Sequence, residues 1–120
     1  MGATVVLVVE DDSAVQRTLR MAFQAAGFSV ELVDTGAEAL RVLHSQRPDA
    51  VTVDLSLPDR RAGDVLAWLR QHSTPWFVIS ALDEGDAAKQ YGQFSGRFIA
   101  KPFDPWDLVD RVEGVLAPQR

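Results

Sequence analysis

The hydrophobic pattern of this chain changes period again and again, and that alternation restricts its fold more than any other feature. Val5-Val6-Leu7-Val8-Val9 is an unbroken, mostly β-branched run, the pattern of a parallel strand covered on both faces. It stops at Glu10-Asp11-Asp12, after which Val15, Leu19, Ala22, Phe23 and Ala26 recur at helical spacing. Ser13 is the expected cap of that helix and Gly27 its left-handed stop. Residues 29 to 33 alternate, with Val30 and Leu32 on one side and Ser29 and Glu31 on the other, which predicts a half-exposed edge strand. A helix near 37 to 46 follows, and then the buried run Ala50-Val51-Thr52-Val53 leads straight into Asp54.

The same alternation continues to the end. A loop with Pro58 and Gly63 precedes a helix through Val65, Leu66 and Leu69, and Trp76-Phe77-Val78-Ile79 makes a fourth strand ending at Ser80. A polar helix with a thin apolar face is predicted over 84 to 91. Arg97-Phe98-Ile99-Ala100 is the fifth strand, closed by Lys101-Pro102. Asp104 and Pro105 supply the cap and first-turn proline of a last helix. Its buried stripe is Leu108, Val109, Val112, Val115 and Leu116, and Pro118 is expected to end it. At 120 residues there is room for one domain and no second catalytic unit; residues 1 to 117 are expected to form it, with 118 to 120 a tail or the start of a linker.

Five βα units with right-handed crossovers give a doubly wound α/β fold with a five-stranded parallel sheet, and such sheets bind ligands outside the carboxyl ends of their strands. Glu10, Asp11, Asp54, Ser80 and Lys101 all stand at those ends. In the order 2-1-3-4-5 the alternating second strand falls at an edge, and the first and third strands are neighbours about 4.8 Å apart, so the acidic run faces Asp54. Carboxylates converging on one spot repel one another, and a cation relieves the repulsion. Oxygen donors with no cysteine in the chain and no histidine nearby favour Mg²⁺ or Ca²⁺, and carboxylates plus waters and a phosphate are the usual Mg²⁺ set. Lys101 is a compact charge suited to one phosphate oxygen, and Ser80 adds a hydroxyl. A carboxylate, a metal, a lysine and a hydroxyl are the parts needed to accept a phosphoryl group, with Asp54 the acceptor.

Taken singly, each piece has an ordinary reading. Glu-Asp-Asp after a strand is commonly a solvated helix entry, Asp54 a turn acid, Ser80 a cap and Lys101 a surface lysine. Their convergence on one rim argues for the site. His44, His72 and the Arg60-Arg61 pair read as surface groups, the three tryptophans as packing or interface groups, and Trp106 as the best surface anchor. Seventeen acidic against twelve basic residues leave a net charge of −5, which argues against direct nucleic acid binding by this segment. The early apolar run is far too short to span a membrane, and a cytoplasmic protein is expected.

Val8-Val9-Glu10-Asp11-Asp12, Asp54-Leu55-Ser56-Leu57-Pro58, Ser80-Ala81 and Lys101-Pro102-Phe103, in that order, resemble the receiver domains of two-component response regulators over nearly the whole chain. The resemblance implies a flavodoxin-like (βα)5 fold and Mg²⁺ held by Glu10 through water, Asp11, Asp54 and the backbone carbonyl of Ser56. It implies phosphorylation of Asp54 by a histidine kinase or phosphotransfer protein. Ser80 and Ala81 then stand at the phosphate-binding switch, and Phe98 where an aromatic ring swings inward with Ser80. The face of the fourth helix, fifth strand and fifth helix would signal to an output domain or partner protein, from a monomer or a weak phosphorylation-dependent dimer. Only self-directed phosphotransfer and autodephosphorylation are expected of such a domain. Two departures from the family pattern stand out. Asp59-Arg60-Arg61-Ala62 between Pro58 and Gly63 is one residue longer than usual, which predicts a reshaped loop. Gly92 to Arg97 lacks the common Gly-Ala-acid pattern, which predicts an altered exit from the fourth helix. Two rivals remain: an aspartyl-phosphate phosphohydrolase, which would want an acid where Ser56 stands, and a receiver-like binding module that is not phosphorylated.

Overall fold

The computed structural model describes residues 4–116. Five strands alternate with five helices: β1 Val5–Val9, α1 Ser13–Ala25, β2 Ser29–Val33, α2 Gly36–Ser45, β3 Ala50–Asp54, α3 Ala62–Gln71, β4 Trp76–Ser80, α4 Glu84–Tyr91, β5 Phe98–Ala100 and α5 Pro105–Leu116. All strand pairs are parallel, in the order β2-β1-β3-β4-β5. β3 and β4 are buried along their whole length, whereas edge strand β2 is mostly half-exposed, as its alternation requires. The end of the last helix at Pro118 and the segment 118 to 120 lie outside the described residues. Among the described residues no helix is long and apolar enough to cross a membrane.

Because successive side chains on a strand point to opposite faces, the sheet divides the interior in two. One core joins Leu7, Val9, Val51 and Val53 to Leu43, Leu66 and Leu69 under α2 and α3, and includes Phe94 and Phe98. The other joins Val6, Val8, Phe77 and Ile79 to Phe23 of α1 and to Leu108 and Val112 of α5. Each fully buried Leu, Val or Phe removes enough apolar surface from water to contribute about 1.5–3 kcal/mol. Side chains of this kind line both faces, so the rim at the carboxyl ends of the strands rests on a rigid base.

Three local features differ from the sequence reading: the cap of α1, the start of β5, and the stripe of α5, where Val115, expected to be buried, is 50% exposed. Asp12, not Ser13, caps α1: its backbone is extended and its Oδ1 accepts from Ala14 N at 2.8 Å and Val15 N at 3.2 Å. A carboxylate at this position also meets the positive end of the helix dipole, which a hydroxyl does not. Arg97 stands just before β5, although its carbonyl already accepts from Val78 N at 2.7 Å. The exit of the eight-residue α4 is tied down by Arg70 of α3, whose guanidinium donates to the carbonyls of Tyr91 and, at 2.9 Å, Gln93. The Arg70 and Arg97 guanidiniums also lie over the Trp76 ring, 5.4 and 5.1 Å from its centroid. Replacing Asp12 by Ala should therefore cost about 1 kcal/mol, measured by urea unfolding, while Ser13→Ala should change stability by only a few tenths.

Candidate functional site

The carboxyl ends of β1 and β3 are adjacent, with Val9 paired to Val53, so the residues that follow meet across the rim. Glu10 continues β1, its N–H donating to Val33 O at 3.0 Å and its carbonyl accepting from Gln16 Nε2. Asp54 ends β3 on the face set by Ala50 and Thr52. Both carboxylates are buried, at 1% and 3% exposure, while Asp11 is exposed. One carboxylate oxygen from each of Glu10, Asp11 and Asp54 lies within 4.8 Å of the others.

Lys101, just past β5, reaches back over the rim. Its Nζ donates to Asp54 Oδ2 at 2.7 Å and lies 3.7 Å from Glu10 Oε1. Asp54 Oδ1 accepts from Ser56 N at 2.8 Å, and Glu10 Oε2 from Asp12 N at 3.1 Å. Glu10 Oε1 is buried without a hydrogen bond. Burial, reinforced by the neighbouring Asp54 and opposed by Lys101 and the Asp12 N–H, pushes the Glu10 carboxyl up from 4.5 to about 7. Burial tends to lower the Lys101 ammonium, but the bond to Asp54 and the surrounding negative charge hold it above its usual value.

The residues fit a hard divalent cation. The donors are all oxygen, negative charge outnumbers the single ammonium, and one buried carboxylate oxygen lacks a donor. Glu10, Asp11 and Asp54, with one oxygen of each within 4.8 Å of the others, would hold such an ion, which would offset their mutual repulsion.

The other expected residues take distinct places. Ser80 is fully buried, and its hydroxyl accepts from Leu82 N at 3.0 Å rather than bonding to Asp54; Ala81 is exposed beside it. Ser56 is exposed, with its N–H spent on Asp54. Phe98 already lies inward, its ring 5.2 Å from that of Phe94. His44 and His72 are exposed and flank Trp68, His72 stacked on it at 3.7 Å. Trp76 is buried and Trp106 is 56% exposed.

Sequence reasoning missed Asp59. Its Oδ1 accepts from Gly36 N at 3.0 Å and its Oδ2 from Ala37 N at 2.9 Å, which fixes the loop between β3 and α3 to the start of α2. No local pattern announces this, because the partners lie 23 and 22 residues earlier in the chain.

Without a divalent cation, the Glu10 shift is a pH dependence of stability. The folded protein binds a proton between 4.5 and about 7 that the unfolded chain does not. Stability from this group is therefore complete below the lower value and lost as pH rises through the upper one. In EDTA at pH 8, Glu10→Gln should be more stable than the parent by about 1–3 kcal/mol, an advantage that urea unfolding should show vanishing towards pH 5.

Comparison with known proteins identifies the family and supports the fold. The family model for the response regulator receiver domain matches residues 6–113. The chain is similar to the transcriptional regulatory protein KdpE of Mycobacterium tuberculosis, 35% identical over 115 residues, covering 94% of this chain and 51% of that protein. It is also similar to the cell cycle transcriptional regulator CtrA of Caulobacter vibrioides, 32% identical over 114 residues, covering 92% and 49%. The chain thus spans about half the length of the curated relatives it matches. Among solved structures, a putative response regulator from Chloroflexus aurantiacus superposes with a TM-score of 0.82 at 30% identity, covering 98% of this chain and all of that one. The Francisella response regulator 1452 receiver domain gives 0.80 at 26% identity, covering 93% and 95%.

Proposed function

The chain belongs to the response regulator receiver domain family of two-component systems, and from that membership we propose that it takes a phosphoryl group on Asp54 in a Mg²⁺-dependent reaction and changes conformation at its α4, β5, α5 face. The observation that carries the reading is the buried Asp54 carboxylate, bonded to Lys101 at 2.7 Å within a cluster of acidic oxygens. Receiver domains generally bind Mg²⁺ at such an acidic pocket. Here Asp11, Asp54, the carbonyl of Ser56 and, through water, Glu10 would hold it. When bound, the cation neutralises carboxylate charge and orients the phosphoryl oxygens for in-line transfer.

The chain's own groups do the rest. A carboxylate oxygen of Asp54 forms the O–P bond as the P–N bond to the donor's histidine breaks, and the imidazole leaves. Lys101 offsets the added charge of roughly −1.5 to −2. Ser80 shares a sheet face with Val78 and Phe98, opposite to that of Asp54, so turning its hydroxyl towards the phosphoryl group alters the space beside Phe98. The Ala81 backbone moves with it. The conformer that binds the new charge better is populated at the expense of the other.

The donor is a histidine kinase or phosphotransfer protein. An apolar groove of about 490 Å³ between α1 and the β5–α5 loop, lined by Val15, Pro102 and Phe103 and bordered by Lys101, supports docking of a protein donor beside the acceptor. An output domain or partner protein reads the α4, β5, α5 face, where Trp106 is exposed. The domain is residues 1 to 117. It resides in the cytoplasm as a monomer or weak phosphorylation-dependent dimer, contacts neither nucleic acid nor membrane itself, and turns over only its own phosphate.

Incubation with Mg²⁺ and acetyl phosphate should add one acid-stable, base-labile phosphate, and Asp54→Asn should add none; label retained in that variant would refute the assignment. Mg²⁺ should raise the melting temperature, and Asp11→Asn should remove most of the rise. Lys101→Ala should still accept phosphate, but the amide shifts that beryllofluoride induces around Phe98 and Trp106 should shrink, since the charge that distinguishes the two conformers is gone.

A further inference from the structure

We propose that Asp59 is a positioning residue for the cation site, setting the loop that carries Ser56 by bonding that loop to the first N–H groups of α2. The inference rests on the reading that the Ser56 carbonyl is a ligand.

Residues 55 to 61 are held on alternate sides. Leu55 and Leu57 are buried at 5% and 4% exposure, and Ser56 and Pro58 face solvent between and beyond them. Below Ser56, its N–H is fixed on Asp54 at 2.8 Å. Above it, Asp59 bonds Gly36 N and Ala37 N at 3.0 and 2.9 Å and closes its own turn on Arg61 N at 3.3 Å. Arg60, between them, has φ of +58° and its N–H on Leu57 O at 3.0 Å. A non-glycine residue keeps that conformation only where its surroundings impose it.

The helix and the loop are shaped to each other. A Cβ on Gly36 would stand 2.6 Å from Arg61 Cβ and 2.9 Å from Arg61 O. Thr35 Oγ1 caps the helix at Glu38 N, 3.1 Å away. The Ala37 N–H is at an exposed position where water can serve it equally well, whereas Gly36 is buried and Asp59 is the partner of its N–H. The Asp59 bonds thus complete the first turn of α2 and at the same time fix the place of the loop. Burial is the largest single influence on the Asp59 carboxyl and opposes its charge, but the N–H groups of Ala37, Gly36 and Arg61 together with the Arg61 charge outweigh it and hold the carboxyl below its ordinary range.

The test is titration calorimetry of the whole chain with MgCl2 at pH 8. Asp59→Ala and Gly36→Ala should each weaken Mg²⁺ binding by about tenfold, the lower end of what losing support behind a metal ligand costs. Asp59→Asn, which keeps one acceptor oxygen, should fall between Asp59→Ala and the parent. Thr35→Ala removes a cap from the same helix without touching the loop, so it should lower the melting temperature yet leave the affinity within twofold. Asp59→Ala binding within twofold of the parent would overturn the proposal. So would Thr35→Ala weakening binding as much as Asp59→Ala, because the effect would then be that of helix stability alone. If the parent bound no Mg²⁺, or Asp11→Asn bound it as tightly, the cation reading would fall and take this inference with it; a failure confined to the Asp59 and Gly36 variants would leave that reading standing.

Discussion

Three carboxylates face one ammonium at the carboxyl end of the sheet, and the rest of the molecule is arranged around that imbalance. Two of the acids, Glu10 and Asp54, are almost wholly removed from water, a placement costly for charged groups unless each oxygen finds a partner. Lys101 satisfies one Asp54 oxygen and the Ser56 N–H the other, while Asp12 N serves one oxygen of Glu10. Glu10 Oε1 is the remainder. A protein built only for stability would place a neutral side chain there. Retaining a second buried acid makes sense at a site that works with an added positive charge.

Much of this was legible in the chain. The strands announce themselves because a buried parallel strand has no polar face, and the helices because their apolar residues return at a different period. Once the alternating run at Ser29 to Val33 is assigned to an edge, the neighbouring of β1 and β3 follows, and with it the meeting of Glu10 and Asp11 with Asp54. The illegible parts share a cause: each depends on a partner remote in sequence or on a choice between neighbours of similar chemistry. Asp12 and Ser13 can both cap a helix, and only the backbone conformation chooses between them. Arg70 reads as a solvated residue until the carbonyls of Tyr91 and Gln93 come within reach. The upward shift of Glu10 depends on burial, which belongs to the folded molecule rather than to any local pattern.

The opposite end of the sheet is organised by different means. There the Arg70 and Arg97 guanidiniums are turned onto the indole of Trp76, and Arg70 braces the chain between α4 and β5. Those contacts fix where α4 leaves off while its first turn stays near Ser80, whose hydroxyl accepts from Leu82 just ahead of the helix. A helix braced at one end and joined at the other to Ser80, the residue proposed to turn towards the phosphoryl group, can pivot more readily than it can translate.

The fit between Gly36 and Arg61 is close enough that a single methyl group would break it. Two segments separated by all of α2 and β3 are thus bound into one heritable unit. A change in the length of the loop after Asp54 would press Arg61 against the first residue of α2, and a chimera that took this loop from elsewhere would need a matching start to that helix.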